Sequence, residues 1–208
     1  MLKKLYFVLI IGCSLFCNAQ DKQSTDPIND YLETIIKPNE QIFILEEKVS
    51  LSEVFRIFPG KHSFTSTNEE ERFMGVSDSL YNEKCFVKMK QKYFNEQPTI
   101  PKTTYLVNDK WKKDDFKYPN MELVSYKKMT EKMADPKVDS VIQDLRIKNV
   151  FLISDVVFYK RKKYALFALT KCKYELWDYN YSIMKVIVMQ KINKKWRLVE
   201  VVNDYIFK

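Results

Sequence analysis

The stretch NVFLISDVVFYKRKKYALFALTKCKYELWDYNYSIMKVIVMQKINKKWRLVEVV, residues 149–202, decides the fold. Four runs in it have strand length and are rich in β-branched and aromatic residues: Val150 to Phe158, Tyr164 to Thr170, Ile183 to Gln190 and Trp196 to Val202. Lys160-Arg161-Lys162-Lys163 separates the first from the second, and Ile192 to Lys195 separates the third from the fourth. Short connections join spatial neighbours, so a four-stranded antiparallel meander is expected to close the chain. Ala165 to Leu169 and Val186 to Met189 are apolar without a break, and such runs need cover on both faces. The preceding helices are the obvious supply.

Those helices are read from caps and period. Asp26-Pro27 opens one carrying Tyr31, Leu32, Ile35 and Ile36, with Pro38 just past its end. Gln41 to Leu45 suits a short strand. Ser52 is the expected cap of a short helix with Val54, Phe55 and Phe58, stopped by Pro59-Gly60, and Lys61 to Glu71 reads as a loop. Asp78 is the expected cap of a helix to about Asn95, with Leu80, Tyr81, Cys85, Met89 and Tyr93 on one stripe. Thr103 to Trp111 suggests a small hairpin, and Glu122 to Met133 reads as helical. Asp135-Pro136 opens a helix in which Val138, Val141, Ile142 and Leu145 recur at helical spacing. The fold class expected is α+β: an N-terminal helical portion packed on a C-terminal four-stranded antiparallel meander, in one domain spanning 27–208 after a flexible leader at 20–26.

Ile153-Ser154, Phe158, Ala165-Leu166-Phe167 and Trp196-Arg197-Leu198 after a Lys-rich turn give residues 149–202 a resemblance to the tail of small exported bacterial proteins of uncharacterised function. Those proteins carry a Gly/Cys-rich loop between the second and third strands; here the loop has Cys172 and no glycine. The resemblance implies an architecture and a compartment, and no activity.

The chain is expected to begin with an export signal. Lys3 and Lys4 precede the uncharged apolar run Leu5 to Cys17, and Cys17-Asn18-Ala19 supplies small residues where a signal peptidase reads. The run is too short for a permanent membrane span, so no transmembrane span is expected in the mature chain. Two processing routes fit. Cleavage near Ala19 makes residues 1–19 a signal peptide; the lipobox-like Ile10-Ile11-Gly12-Cys13 instead gives a lipoprotein signal, 1–12, with Cys13 lipidated. The first is favoured, because the apolar run continues past Cys13 and because it leaves an even pair, Cys85 and Cys172. The protein is expected in the periplasm, at the cell surface or secreted, where a Cys85–Cys172 disulfide is a candidate against two buried free thiols.

Charge and absences bound the function. The 35 basic and 27 acidic residues give +8, and losing Lys3 and Lys4 leaves 33 against 27, or +6. The compartment disfavours nucleic acid. After residue 19 there is one histidine, His62, and two glycines, Gly60 and Gly75. One imidazole cannot build a His-based zinc centre, and two separated glycines cannot build a phosphate-cradling loop. No Gly-x-Ser-x-Gly elbow, Cys-x-x-Cys or calcium-loop pattern occurs. No catalytic residue, metal ligand or cofactor is assigned. Glu69-Glu70-Glu71 and Asp114-Asp115 leave carboxylate chemistry open, although adjacent acids usually belong to a solvated face.

Two surface features carry binding hypotheses. In a meander the first and third turns emerge at one end of the sheet. That would set Lys160, Arg161, Lys162 and Lys163 beside Lys194 and Lys195, an anion-attracting rim for a lipid headgroup or acidic glycan; charged hairpin tips that merely aid solubility are the plainer reading. At the other end Tyr174, Trp177, Asp178, Tyr179 and Tyr181 mix flat apolar faces with hydrogen-bonding groups, a set suited to glycan or peptide. The plainer reading there is that the aromatic rings pack back onto the sheet. The function expected is an exported, non-enzymatic binding module. A carboxylate-based hydrolase of envelope glycans and a structural accessory subunit of an envelope assembly are the alternatives.

Overall fold

A computed structural model of the chain describes residues 26–60, 75–94, 98–100, 105–128, 149–173 and 183–204. In chain order the elements are α1 (Asp26–Ile35), β1 (Ile42–Leu45), β2 (Glu47–Val49), α2 (Leu51–Ile57), α3 (Glu83–Tyr93), β3 (Leu106–Lys110), a 3-10 turn (Lys113–Asp115), β4 (Met121–Val124), β5 (Asn149–Ile153), β6 (Val157–Tyr159), β7 (Tyr164–Lys173), β8 (Lys185–Ile192) and β9 (Lys195–Asn203). The expected helix at 136–145 and the loop at 61–71 lie outside the described residues.

The sheet is larger than the expected four-stranded meander, and it is mixed. Seven strands join in the order β4-β1-β5-β7-β8-β9, with β6 continuing beside β7, while β2 and β3 form a separate ladder. The closing strands are antiparallel, but β1 runs parallel to both β4 and β5. Two short elements cause the difference. All four residues of β1 are buried, as a central parallel strand requires. Glu122 to Val124, read as the start of a helix, instead belong to the edge strand β4 (Met121–Val124), and helix begins only at Tyr126. Neither strand is long enough to display a period.

The first run of the expected meander is broken as well. Ile153 pairs with Leu169 and Val157 with Leu166, so three residues, 154–156, face two on β7. That is a β-bulge. Ser154, fully buried, stabilises it: its hydroxyl accepts from the Ala168 N–H at 2.8 Å and donates to the Asp155 carbonyl at 2.9 Å.

Strand alternation sorts the core into two layers. One face of the sheet presents Phe43, Leu45, Val150, Leu152, Leu166, Ala168, Val186 and Val188 to α2 and α3, through Val54, Phe55, Phe58, Phe86 and Met89. The other presents Ile42, Ile44, Phe151, Ile153, Phe167, Ile187 and Met189 to α1, through Ile28, Tyr31 and Leu32, and to Trp111 and Phe116. Helices therefore cover both faces. Each fully buried Leu, Ile or Phe contributes about 1.5–3 kcal/mol.

The caps differ in detail from expectation. Ser50, rather than Ser52, caps α2, accepting from the Ser52 N–H at 3.2 Å. Asn82, rather than Asp78, caps α3, accepting from the Cys85 N–H at 3.0 Å. Gly60 and Gly75 lie against each other: a Cβ on Gly75 would sit 2.7 Å from the Gly60 Cα, so only glycine fits.

Candidate functional site

The two basic turns are built from unusual backbone. In the β6–β7 turn Lys160, Arg161 and Lys162 all have left-handed φ (47°, 55° and 65°), and the Lys163 N–H donates to the Lys160 carbonyl at 3.2 Å. The β8–β9 turn is a two-residue hairpin between the paired Ile192 and Lys195, with φ of 49° at Asn193 and 67° at Lys194. This is the primed geometry that matches strand twist. Left-handed residues other than glycine cost about 1 kcal/mol each, so the chain keeps long cations where glycine would be cheaper.

Pairing brings the turns together. Tyr164 faces Gln190, and the Lys191 N–H donates to the Lys163 carbonyl at 3.1 Å. Lys160, Arg161, Lys162, Lys163, Lys194 and Lys195 thus share one end of the sheet. Lys191 joins them; its place in the run Lys191-Ile192-Asn193-Lys194-Lys195 was the signal sequence reading passed over.

Aromatic rings position the ammonium groups. On one face Lys160 Nζ lies 5.5 Å from the Tyr159 ring centroid and 5.9 Å from that of Tyr164, and Lys163 Nζ lies 5.4 Å from Tyr164. On the other, Lys162 Nζ is 5.9 Å from Phe158 and Lys191 Nζ 5.6 Å from Trp196, two rings themselves 5.9 Å apart. Such contacts attract a cation while leaving it to find anions. The platform is anchored: the Tyr159 hydroxyl, whose pKa burial pushes up to about 12, donates to the Leu80 and Asn82 carbonyls at 3.1 and 3.3 Å.

Some cations elsewhere are paired, Arg56 with Glu53 and Asp204, Lys110 with Glu46 and Glu47, Lys117 with Asp26, while Lys84, Lys88, Lys90 and Lys92 of α3 form no described ion pair. No described carboxylate forms an ion pair with Lys160, Arg161, Lys163, Lys191, Lys194 or Lys195. Asp30, at the base of the rim, accepts from the Trp196 N–H at 2.7 Å.

The other candidates fare differently. Tyr174, Trp177, Asp178, Tyr179, Tyr181 and Cys13 lie outside the described residues. Cys85 and Cys172 are free thiols rather than a disulfide. Cys85 is in the first turn of α3, beside the Tyr159 end of the sheet. Cys172 lies eight residues along β7 from Tyr164, about 26 Å at strand rise, far beyond disulfide reach.

Sequence reading missed a second charged cluster. Lys48 Nζ lies 2.7 Å from Asp109 Oδ2 and 3.0 Å from Asp155 Oδ1, 4.6 Å above the Trp111 ring. The partners respond differently. Burial lowers the Lys48 pKa, but two carboxylates outweigh it and leave it raised; burial raises Asp155, and a single ammonium returns less than the lost hydration. The cluster ties the β2–β3 ladder to the bulge. Nothing in the sequence spacing joins positions 48, 109 and 155.

A polar, open cleft of about 550 Å³ lies along β4, between Asn39, Gln41, Lys113, Asn120 and Glu122. Its one carboxylate, Glu122, accepts from Gln41 Nε2 at 3.3 Å. Among the described residues no group of three or more His, Cys, Asp or Glu could hold a metal, and no helix is long and apolar enough to cross a membrane. Comparison of the chain with protein-family models, curated proteins and solved structures gives no match in any of the three.

Proposed function

We propose that the protein is an exported, non-enzymatic binding module that docks on an anionic surface through Lys160, Arg161, Lys162, Lys163, Lys194 and Lys195. The observation that carries this reading is a rim of cations gathered at one end of the sheet, with Lys160, Lys162 and Lys163 over aromatic rings and no described carboxylate ion-paired with Lys160, Arg161, Lys163, Lys194 or Lys195. Charged tips kept only for solubility need neither left-handed lysines nor ring contacts. The shared ligand chemistry is a dense array of phosphate or carboxylate, on a lipid bilayer or an acidic glycan.

The test replaces residues 160–163 with glutamine and measures binding to phosphatidylglycerol vesicles and to an acidic polysaccharide at two salt concentrations. Each cation near an anionic bilayer contributes about 1 kcal/mol, so four losses weaken binding by about two to three powers of ten. Which of the two probes binds the parent identifies the surface. Salt-insensitive binding, or binding that survives the substitution, overturns the proposal.

A further inference from the structure

The basic rim carries one side chain that charge does not explain. Ile192, the last residue of β8, is 39% exposed beside the Asn193-Lys194 turn, with Lys191 before it and Lys195 opposite. It is a large hydrophobic next to a turn, where polar residues are the rule. Packing does not account for it either. Val188, Gln190 and Ile192 alternate onto one face of β8. On that face Tyr164, paired with Gln190, belongs to the core. The hairpin carries Ile192 two residues past that level, about 7 Å at strand rise.

Its surroundings select a ligand. Lys160 and Lys163 lie on the same face, their ammonium groups 5.9 and 5.4 Å from the Tyr164 ring centroid. Lys191 and Lys162 lie on the other, over Trp196 and the half-buried Phe158. An apolar side chain is thus ringed by long cations. An acidic glycan would satisfy the cations and leave the Ile192 side chain in water. A bilayer satisfies both. Apolar groups of an interfacial protein sink about 5–10 Å into the boundary between headgroups and acyl chains. Lysine stems can lie along that apolar layer while their ammonium groups stay at the phosphates.

We propose that the anionic surface is a phospholipid bilayer, and that Ile192 inserts below its headgroups while Lys160, Lys163, Lys191, Lys194 and Lys195 hold phosphates around it. This rests on the docking reading above and commits it to lipid. The cations bring the rim to the membrane and are screened by salt. The side chain sets the depth and is not.

Phosphatidylglycerol vesicles, with and without bromine on the acyl chains, test this beside an acidic polysaccharide. Ile192→Ser keeps every charge and should weaken vesicle binding roughly fivefold, from the loss of the still-exposed part of one large aliphatic side chain. Ile183→Ser is the control: Ile183 is 53% exposed, but it lies beyond the opposite end of β8, and its loss should leave binding unchanged. Ile192→Trp should add emission that shifts to the blue on vesicles and is quenched by the bromines. Both results are required. Binding by Ile192→Ser as tight as the parent's, an Ile183→Ser loss equal to that of Ile192→Ser, or an Ile192→Trp emission that bromine does not quench overturns the insertion and leaves the rim's docking intact. So does a parent that binds only the polysaccharide. A parent that binds neither probe overturns both.

Discussion

Replacing Ser154 with alanine removes one oxygen from the interior and tests how the long strand is broken. That oxygen is the acceptor for the Ala168 N–H at 2.8 Å and the donor to the Asp155 carbonyl at 2.9 Å, at a position with no exposed surface. In Ser154→Ala the Ala168 amide keeps its place opposite the bulge, with neither a partner nor water. A buried donor left unsatisfied costs about 1–3 kcal/mol, and alanine returns little of it. We expect a loss of about 2 kcal/mol, read as a lower urea midpoint with unchanged slope. In a chain of this size that lowers Tm by about 4–8 °C. Hydrogen exchange locates the effect, because the Ala168 amide should lose protection before its neighbours do. Thr170→Val is the control: Thr170 is equally buried, but its hydroxyl makes a bond of 3.4 Å to the Ile183 carbonyl, so its removal should cost less than about 1 kcal/mol. If Ser154→Ala loses under about 0.5 kcal/mol and Ala168 stays protected, the hydroxyl does not hold the bulge.

Three further outcomes are expected. Lys194→Gly creates an Asn-Gly turn at a φ of 67° and should stabilise the protein by about 1 kcal/mol, raising Tm by about 2–4 °C; no gain would mean the left-handed lysine carries no strain. Lys48→Met leaves Asp109 and Asp155 facing each other beside Trp111 and should cost about 2 kcal/mol at pH 7. Asp155 already titrates above its ordinary range, so its contribution favours low pH and is lost as pH rises through the folded value; losing Lys48 raises that value further, and the urea-measured penalty should be smaller at pH 4 than at pH 7. Gly75→Ala forces its new methyl toward the Gly60 Cα and the Pro59 carbonyl, 2.7 and 2.8 Å away, and should lower stability by at least about 1 kcal/mol, measured by thermal unfolding.

Much of the closing sheet was legible in the sequence, since its strands are long, rich in β-branched and aromatic residues, and joined by short turns. The bases of the rim were legible too: two turns of one meander must emerge together, and Lys163 and Lys191 meet where that argument puts them. What failed was short or non-local. Ile42–Leu45 and Met121–Val124 are four residues each, too brief to declare a period, and their parallel pairing depends on segments some 80 residues apart.

The sequence by itself determined the basic tips, the missing histidine and glycine chemistry, and the demand for cover on both faces, because each follows from residue type and local order. Tertiary structure alone decided the rest. It extended the sheet through β1 and β4 and left Cys85 and Cys172 at different ends of it. It also gathered Lys48, Asp109 and Asp155. Each of these depends on register, and one residue of slip reverses every side chain in a strand.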